Sequence, residues 1–464
     1  MLFNSLIFLL LFLPVTYVVF WLLRSAGARY IWLTVTGYVF YGYWDARFCL
    51  LMAFSTAVSY TAGLGLLRFR TGAARMACLV VPVTIDLLLL GFFKYADFLL
   101  GTADDVSRAL GLSPVTSRVN VILPVGISFY TFHTISYIVD CYRGTITPTR
   151  NIWEFSAYVS LFSQLVAGPI VRFRQIEQDL ENLGQADRTR WLGIGVSFFV
   201  YGLAEKVLLA DTLAAFVDPA WKNYAALSSV GAWLAVLGYT FQLYFDFSGY
   251  SSMAVGLGYM FGIRIPQNFN SPYKALNPSD FWQRWHISLS SCLRDYLYIP
   301  LGGNRGGTLA TCRNLMITML LGGLWHGANW TFLLWGAYHG LLLILYRFVG
   351  KQWDGLPRVV RQLAMFLLVV VGWVLFRADS AAAAGHILQA MFVPVGGAMM
   401  ERWEFFLACL LFAGWWSTVG PNAFDWHSSR AWGRAAGPVL AAVFGACFAI
   451  ILGGRDSPFL YFQF

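Results

Sequence analysis

The sequence predicts an all-α polytopic membrane protein, and three observations carry that prediction. Hydrophobic residues fill 58% of the 464 positions and charged residues only 12%, about half the charged share of a soluble domain. Apolar runs of membrane-crossing length recur from one end of the chain to the other. The runs are continuous rather than alternating, which argues against a closed β-barrel.

The runs cover residues 6–23, 31–43, 49–67, 77–93, 121–139, 192–209, 316–345, 363–375, 405–416 and 438–452. The stretch 230–261 is too long for one crossing and is expected to break near Asp246-Phe-Ser-Gly249. About eleven spans result. The first run is too long for a signal-peptide core and lacks both a basic start and a small-residue cleavage site, so it reads as a retained helix. Arg24 and Arg29 follow the first run, Arg68, Arg70 and Arg75 the third, and Arg143 and Arg150 the fifth, whereas Asp45 and Asp104-Asp105 lie in the intervening loops. The positive-inside rule then puts the N-terminus outside. The net charge of +9 is scattered over these loops and is no nucleic-acid signature. Seven cysteines show no C-x-x-C spacing and read as small core residues. No linker or repeat interrupts the chain, so residues 1–464 read as one membrane domain.

Polar residues concentrate at 268–305, which holds six charges: Lys274, Asp280, Arg284, Arg294, Asp295 and Arg305. At about 2.5–3.5 kcal/mol each, lipid exposure would cost roughly 15–20 kcal/mol, so the segment does not face lipid. It is either a cytoplasmic loop or a re-entrant element lining a polar cavity. Its many aromatic and aliphatic residues favour the second reading. Asn277-Pro-Ser-Asp280 reads as a helix start and Pro300-Leu-Gly-Gly303 as its end. Between them Trp282, Trp285, Leu289, Leu293, Tyr296 and Leu297 recur as an apolar stripe.

Two tryptophan–histidine pairs stand out. His286, after Trp285, lies in this charged stretch, and His326, after Trp325, lies in an apolar run. A titratable ring at membrane depth marks a functional site unless it is tied into a helix interface. Asp246 must be paired or neutral, with an arginine partner or a catalytic role both open. Gly168-Pro169 ends a helix, as a re-entrant turn or a plain span end. His339, His386 and His427 read as structural. No metal site is read, because neither His286 nor His326 has a carboxylate or cysteine at ligand spacing.

These motifs resemble the membrane-bound O-acyltransferase (MBOAT) family, and within it the bacterial alginate O-acetylase group. The matching residues are Pro124-Val-Gly-Ile-Ser-Phe-Tyr-Thr-Phe132, Gln164-Leu-Val-Ala-Gly-Pro169, Phe245-Asp-Phe-Ser-Gly-Tyr250, Asn268-Phe-Asn270 with Pro272-Tyr273, Asp280-Phe-Trp-Gln-Arg-Trp-His286, Arg294 to Arg305, Gly322-Gly-Leu-Trp-His-Gly327 and the terminal Phe459-Leu-Tyr-Phe-Gln-Phe464. His133 departs from the group, where glutamine is usual.

The resemblance implies helices around a thin central tunnel, with re-entrant or interfacial elements. It implies His326 as the catalytic histidine, His286 as the second site position, and acetyl transfer from cytoplasmic acetyl-CoA to an acceptor reached from the periplasm. The donor is a substrate, and no bound cofactor is implied. Histidine suits the reaction as base for the acceptor hydroxyl. A covalent acyl-histidine at His326 is the other route, and His286 would orient the donor or stabilise the oxyanion. Lys274, Arg284, Arg294 and Arg305 are candidates for the polyanionic donor, or else ordinary loop cations. Trp285, Trp325 and Asp246 are candidates for the tunnel wall. The group works with an SGNH-type acetyltransferase partner that reaches the polysaccharide. Alginate is the first acceptor implied, with peptidoglycan, cellulose or another envelope polymer as alternatives. From the residues alone a proton-coupled transporter stays open, which acetyl-CoA binding discriminates.

Overall fold

The computed structural model describes residues 1–113, 121–428, 436–454 and 459–460. Residues 461–464 of the terminal motif lie outside the described residues. Among the described residues there is no strand, only an isolated bridge between Leu227 and Ala398. The chain packs as two compact units: Met1–Gly195 with Ala254–Pro266, and Val196–Met253 with Gln267–Phe464.

The first unit contains α1 (Leu13–Leu22), α2 (Ala26–Gly42), α3 (Arg47–Arg68), α4 (Gly72–Leu90), α5 (Ala96–Ala109), α6 (Ile127–Arg143), α7 (Ile152–Ser160) and α8 (Phe173–Glu181). Side-chain caps start several of them: Ser25 Oγ accepts from Ala28 N–H at 3.2 Å and Asn151 Oδ1 from Trp153 N–H at 3.0 Å. Phe3, Phe8, Phe12, Phe40 and Phe162 cluster as a buried aromatic core. Buried Asp86 of α4 accepts from Ser55 Oγ of α3 and Thr134 Oγ1 of α6, both at 2.6 Å, so one carboxyl ties three helices. Nothing in its sequence surroundings singled this residue out. Residues 161–172 are buried and non-helical, which answers the Gly168-Pro169 question in favour of a buried turn. Gln164 Nε2 donates to Tyr158 C=O at 2.6 Å and Tyr158 O–H to Val171 C=O at 3.0 Å, so polar side chains satisfy part of the irregular backbone.

Helices α9 (Arg188–Ala204) and α11 (Ser229–Met260) run across the division between the units, and α10 (Asp211–Lys222) lies in the second. The expected break near Asp246-Phe-Ser-Gly249 does not occur, since α11 is one 32-residue helix. Asp246 is neutralised without unwinding the backbone: its Oδ1 meets Lys206 Nζ at 2.5 Å, a lysine rather than an arginine partner. Gly249 is a packing position. A Cβ there would come within 2.6 Å of Gly202 C=O, so the glycine lets α9 approach closely.

The second unit continues with α12 (Pro278–Arg284), α13 (Ile287–Leu293), α14 (Gly307–His326), α15 (Trp330–Asp354), α16 (Arg358–Arg377), α17 (Ala381–Phe392), α18 (Trp403–Thr418), α19 (Ala423–Ser428) and α20 (Ala436–Leu452). The run 316–345 is two helices rather than one span. Gly327-Ala-Asn329 turns the chain, and Asn329 Oδ1 caps α15 by accepting from Thr331 N–H at 3.1 Å. A Cβ on Gly323 would sit 2.2 Å from Phe332 C=O, and one on Gly336 2.3 Å from Met319 C=O. These two glycines let α14 and α15 touch along their backbones just before His326.

Among the described residues, five helical stretches are long and apolar enough to cross a membrane: Arg47–Arg68, Gly72–Ala109, Trp191–Lys222, Trp330–Asp354 and Arg358–Arg377. The apolar helices Phe8–Leu22, Ala381–Phe392 and Ala436–Leu452 are shorter.

Candidate functional site

The site lies in the second unit, where the chain departs from helical geometry. Asn277 Oδ1 caps α12, accepting from Asp280 N–H at 2.8 Å as the sequence leads one to expect. The expected continuous helix to residue 300 is broken. Trp285 is extended and His286 adopts a left-handed conformation, φ 44° and ψ 55°, before α13 begins. Left-handed backbone is strained for a non-glycine residue and points to a functional demand on the side chain. The preceding segment takes up the freed backbone groups: Asn270 N–H donates to Arg284 C=O at 2.9 Å, and Ile287 N–H to Asn268 C=O at 2.8 Å.

Asn268 also fixes the His286 ring. Its Oδ1 accepts from Ser288 N–H at 3.1 Å and Ser288 Oγ–H at 2.8 Å, and lies 3.2 Å from His286 Nδ1. Its Nδ2 donates to Ser251 Oγ at 3.1 Å. A backbone N–H can only donate, so the oxygen orientation of this amide is settled. A proton on His286 Nδ1 then meets an acceptor, which leaves the lone pair on Nε2. Nε2 has no hydrogen-bond partner among the described residues, and the ring is fully buried.

His326 is the last residue of α14, and its ring centroid is 6.3 Å from that of His286. Trp325, Trp335 and Phe376 each meet the His326 ring at a centroid distance of 5.1 Å and steep angles of 74°, 88° and 73°. Phe247 lies edge-on to His286 at 4.8 Å, with Phe269 on another side at 6.2 Å. Edge-to-face packing around His326, and an edge-on Phe247 with a stacked Phe269 against His286, restrict both rings to narrow orientations. Two buried imidazoles about one small molecule apart, one with its tautomer set, can share the proton traffic of an acyl transfer.

The remaining donor and tunnel candidates separate into four groups. Trp285 and Trp325 are buried beside the histidines, Trp285 stacking on Phe281 and packing at 4.7 Å against Trp373. Lys274 and Arg284 hold their own segment: Lys274 Nζ donates to Gly420 C=O at 2.6 Å, and Arg284 donates to Asp280 Oδ1 at 2.7 Å and to Asn270 C=O at 3.2 Å. Arg294 and Arg305 are exposed on the turn after α13, with Arg294 paired to Asp295. Asp246 lies on α11 with its charge met by Lys206. His339 packs flat on Phe281 at 5.9 Å and against Trp335 at 4.8 Å, so it joins the aromatic wall. His386 and His427 lie apart, against Tyr224 and Phe198. Among the described residues no three His, Cys, Asp or Glu side chains come together as a metal site.

Asn268, Ser288, Trp335 and Phe376 had no role assigned from sequence. Asn268 and Phe269 sit in a quoted motif, but only the fold shows that the amide faces His286. Nothing in the spacing relates Phe376 to His326.

Comparison with known proteins bears on this arrangement. The profile of the MBOAT, membrane-bound O-acyltransferase family, matches residues 147–378, which takes in both histidines. The chain is 46% identical over 400 residues to a protein named "Probable alginate O-acetylase" from Pseudomonas aeruginosa, covering 84% of this chain and 75% of that one. It is 46% identical over 403 residues to the protein of that name from Azotobacter vinelandii, covering 84% and 78%. A peptidoglycan O-acetyltransferase of Helicobacter pylori is 36% identical over 424 residues, covering 84% and 80%.

Proposed function

The chain belongs to the membrane-bound O-acyltransferase family, and from that premise we propose that it moves acetyl groups from cytoplasmic acetyl-CoA across the bacterial inner membrane for O-acetylation of an exopolysaccharide, alginate first. It is an acyltransferase, which displaces the transporter reading. The higher identity to the alginate O-acetylases than to the peptidoglycan enzyme supports the choice of acceptor. We read residues 1–464 as one membrane domain, since each compact unit draws on two separated stretches of chain. The N-terminus is assigned to the periplasm from the loop arginines.

The observation that carries the reading is the histidine pair, 6.3 Å apart, with His286 Nδ1 facing Asn268 Oδ1. In the proposed reaction His326 takes the acceptor hydroxyl proton. The oxygen attacks the thioester carbonyl, the C–S bond breaks, and the thiolate leaves to be protonated. General-base assistance of this kind contributes about 10²–10⁴-fold. With its lone pair on Nε2, neutral His286 accepts a hydrogen bond. It stabilises the oxyanion only once Nε2 also carries a proton, so its oxyanion role belongs to the imidazolium. Arg294 and Arg305 are the better placed cations for the donor phosphates because they are exposed, Arg294 by giving up its surface pair with Asp295, whereas Lys274 and Arg284 are half-buried and hold backbone carbonyls. An SGNH-type acetyltransferase is the proposed partner that completes transfer to the polymer.

The test is His326→Ala in membranes with acetyl-CoA and the partner supplied. Acetylation should vanish while the protein inserts and folds. Retained acetylation, or acetylation that does not depend on acetyl-CoA, would overturn the reading.

A further inference from the structure

Helix α11 carries two adjacent residues with separate surroundings: Asp246, inside a buried ion cluster, and Phe247, against His286. Lys206 sits between two carboxylates, its Nζ 2.5 Å from Asp246 Oδ1 and 2.8 Å from Asp211 Oδ1. A buried ion pair is stable only when its remaining lone pairs are also hydrogen-bonded. For Asp246 Oδ2 the donor comes from far along the chain: Leu460 N–H, 214 residues away, at 2.9 Å.

The residue before it continues the contact. Phe459 stacks on Tyr250 at 4.6 Å and 28°, and lies 5.9 Å from Phe247. Both Phe459 and Leu460 are buried, at 2% and 3% exposure. Phe247 in turn presents its edge to His286 at 4.8 Å and 85°. An unbroken series of contacts therefore runs from the Lys206–Asp246 pair through the end of the chain to the wall of the histidine site.

We propose that Phe459 buttresses the histidine site through Phe247, held in place by the Leu460 backbone N–H, and that Asp246 is the anchor for that N–H rather than a residue that touches the donor. The role is one of positioning. Asp246 gathers a lysine charge and a backbone N–H, the N–H holds Phe459 and Leu460 in register, and Phe459 packs against Phe247. The inference rests on the reading of His286 and His326 as the acyl-transfer site.

The backbone N–H allows a specific test in the full-length protein, assayed for acetyl transfer with its partner. Leu460→Pro removes the N–H, whereas Leu460→Ala keeps it and shortens the side chain. Leu460→Pro is expected to lower kcat about tenfold, with the KM for acetyl-CoA within twofold and Tm within about 2 °C. Leu460→Ala should stay close to the parent. Asp246→Ala combined with Leu460→Pro should fall no further than Asp246→Ala alone, as expected when two residues act as one unit. Labelling of His286 by diethyl pyrocarbonate, read by peptide mass spectrometry, should rise in Leu460→Pro and not in Leu460→Ala. Full activity in Leu460→Pro, multiplicative losses in the double variant, or a loss in both Leu460 variants that follows Tm would each overturn the proposal. A raised KM for acetyl-CoA would do so as well, by placing Asp246 and the tail on the donor. An active His326→Ala would overturn the site reading instead, and the labelling result would still report on the tail.

Discussion

Replacing Asn268 by alanine tests how the site is built, because one oxygen there faces three groups. Its Oδ1 accepts from Ser288 N–H and Oγ–H and lies opposite His286 Nδ1, all within a buried pocket. Each buried donor left without an acceptor costs about 1–3 kcal/mol, and the Ser288 hydroxyl can turn elsewhere, so Asn268→Ala should lose about 2–4 kcal/mol of stability. The effect on rate has a different origin. Without the acceptor, His286 no longer has a set tautomer, and the lone pair on Nε2 is no longer guaranteed. A loss of about 1.4–2.7 kcal/mol of transition-state stabilisation corresponds to tenfold to a hundredfold in kcat. Asn268→Asp keeps an acceptor and should retain more activity than the alanine variant. The assay is acetyl transfer by the purified protein with its partner, run for Asn268→Ala in the parent and in a His286→Ala background. In the second background the further loss should be under about twofold, since no ring remains to orient. An equal loss in both backgrounds, or no loss in the parent, would refute the orientation argument.

Other expectations follow from the same structure. Gly323→Ala should lower the Tm measurably and reduce activity, because its Cβ would come 2.2 Å from Phe332 C=O; overpacking of this kind costs about 1–3 kcal/mol. Trp335→Leu removes one of the rings that hold His326 and should lower kcat about tenfold or more, with the KM for acetyl-CoA nearly unchanged, as steady-state kinetics would show. Arg294→Ala and Arg305→Ala should instead raise that KM with kcat retained, and the effect should shrink at high salt. In the first unit, Asp86→Leu leaves the Ser55 hydroxyl without its carboxyl acceptor, turns the Thr134 hydroxyl onto the Tyr130 and Thr131 carbonyls alone, and should destabilise the protein more than Asp86→Asn, which keeps one carbonyl oxygen, as thermal unfolding in detergent would measure.

Helix positions are readable wherever an apolar run of about one helix's length stands alone. The runs at 49–67 and 363–375 correspond to α3 and α16, and the Asn277 cap is where the polar residue before a proline places it. Errors arose where hydrophobicity was continuous but geometry was not. Residues 316–345 look like one span because Gly327-Ala-Asn329 is short and barely polar, yet Asn329 caps a new helix there. Residues 229–260 look breakable because Asp246 is charged, yet a lysine forty positions away removes the reason to break. Hydropathy registers the charge of a residue and is blind to its partner.

The sequence by itself determined the class of protein and the family and pointed to the two histidines, because these depend on composition and on short ordered motifs. Tertiary structure decided what each polar residue does. Whether Arg284 is free for a ligand depends on Asp280 and the Asn270 carbonyl. Which nitrogen of His286 carries the lone pair depends on Asn268, 18 residues earlier. Whether Asp246 is an isolated charge or an anchor depends on Lys206 and Leu460. In each case the energy lies in a directional contact between residues remote in sequence, whose worth is set by distance, angle and burial. Only the folded chain brings those three quantities into being.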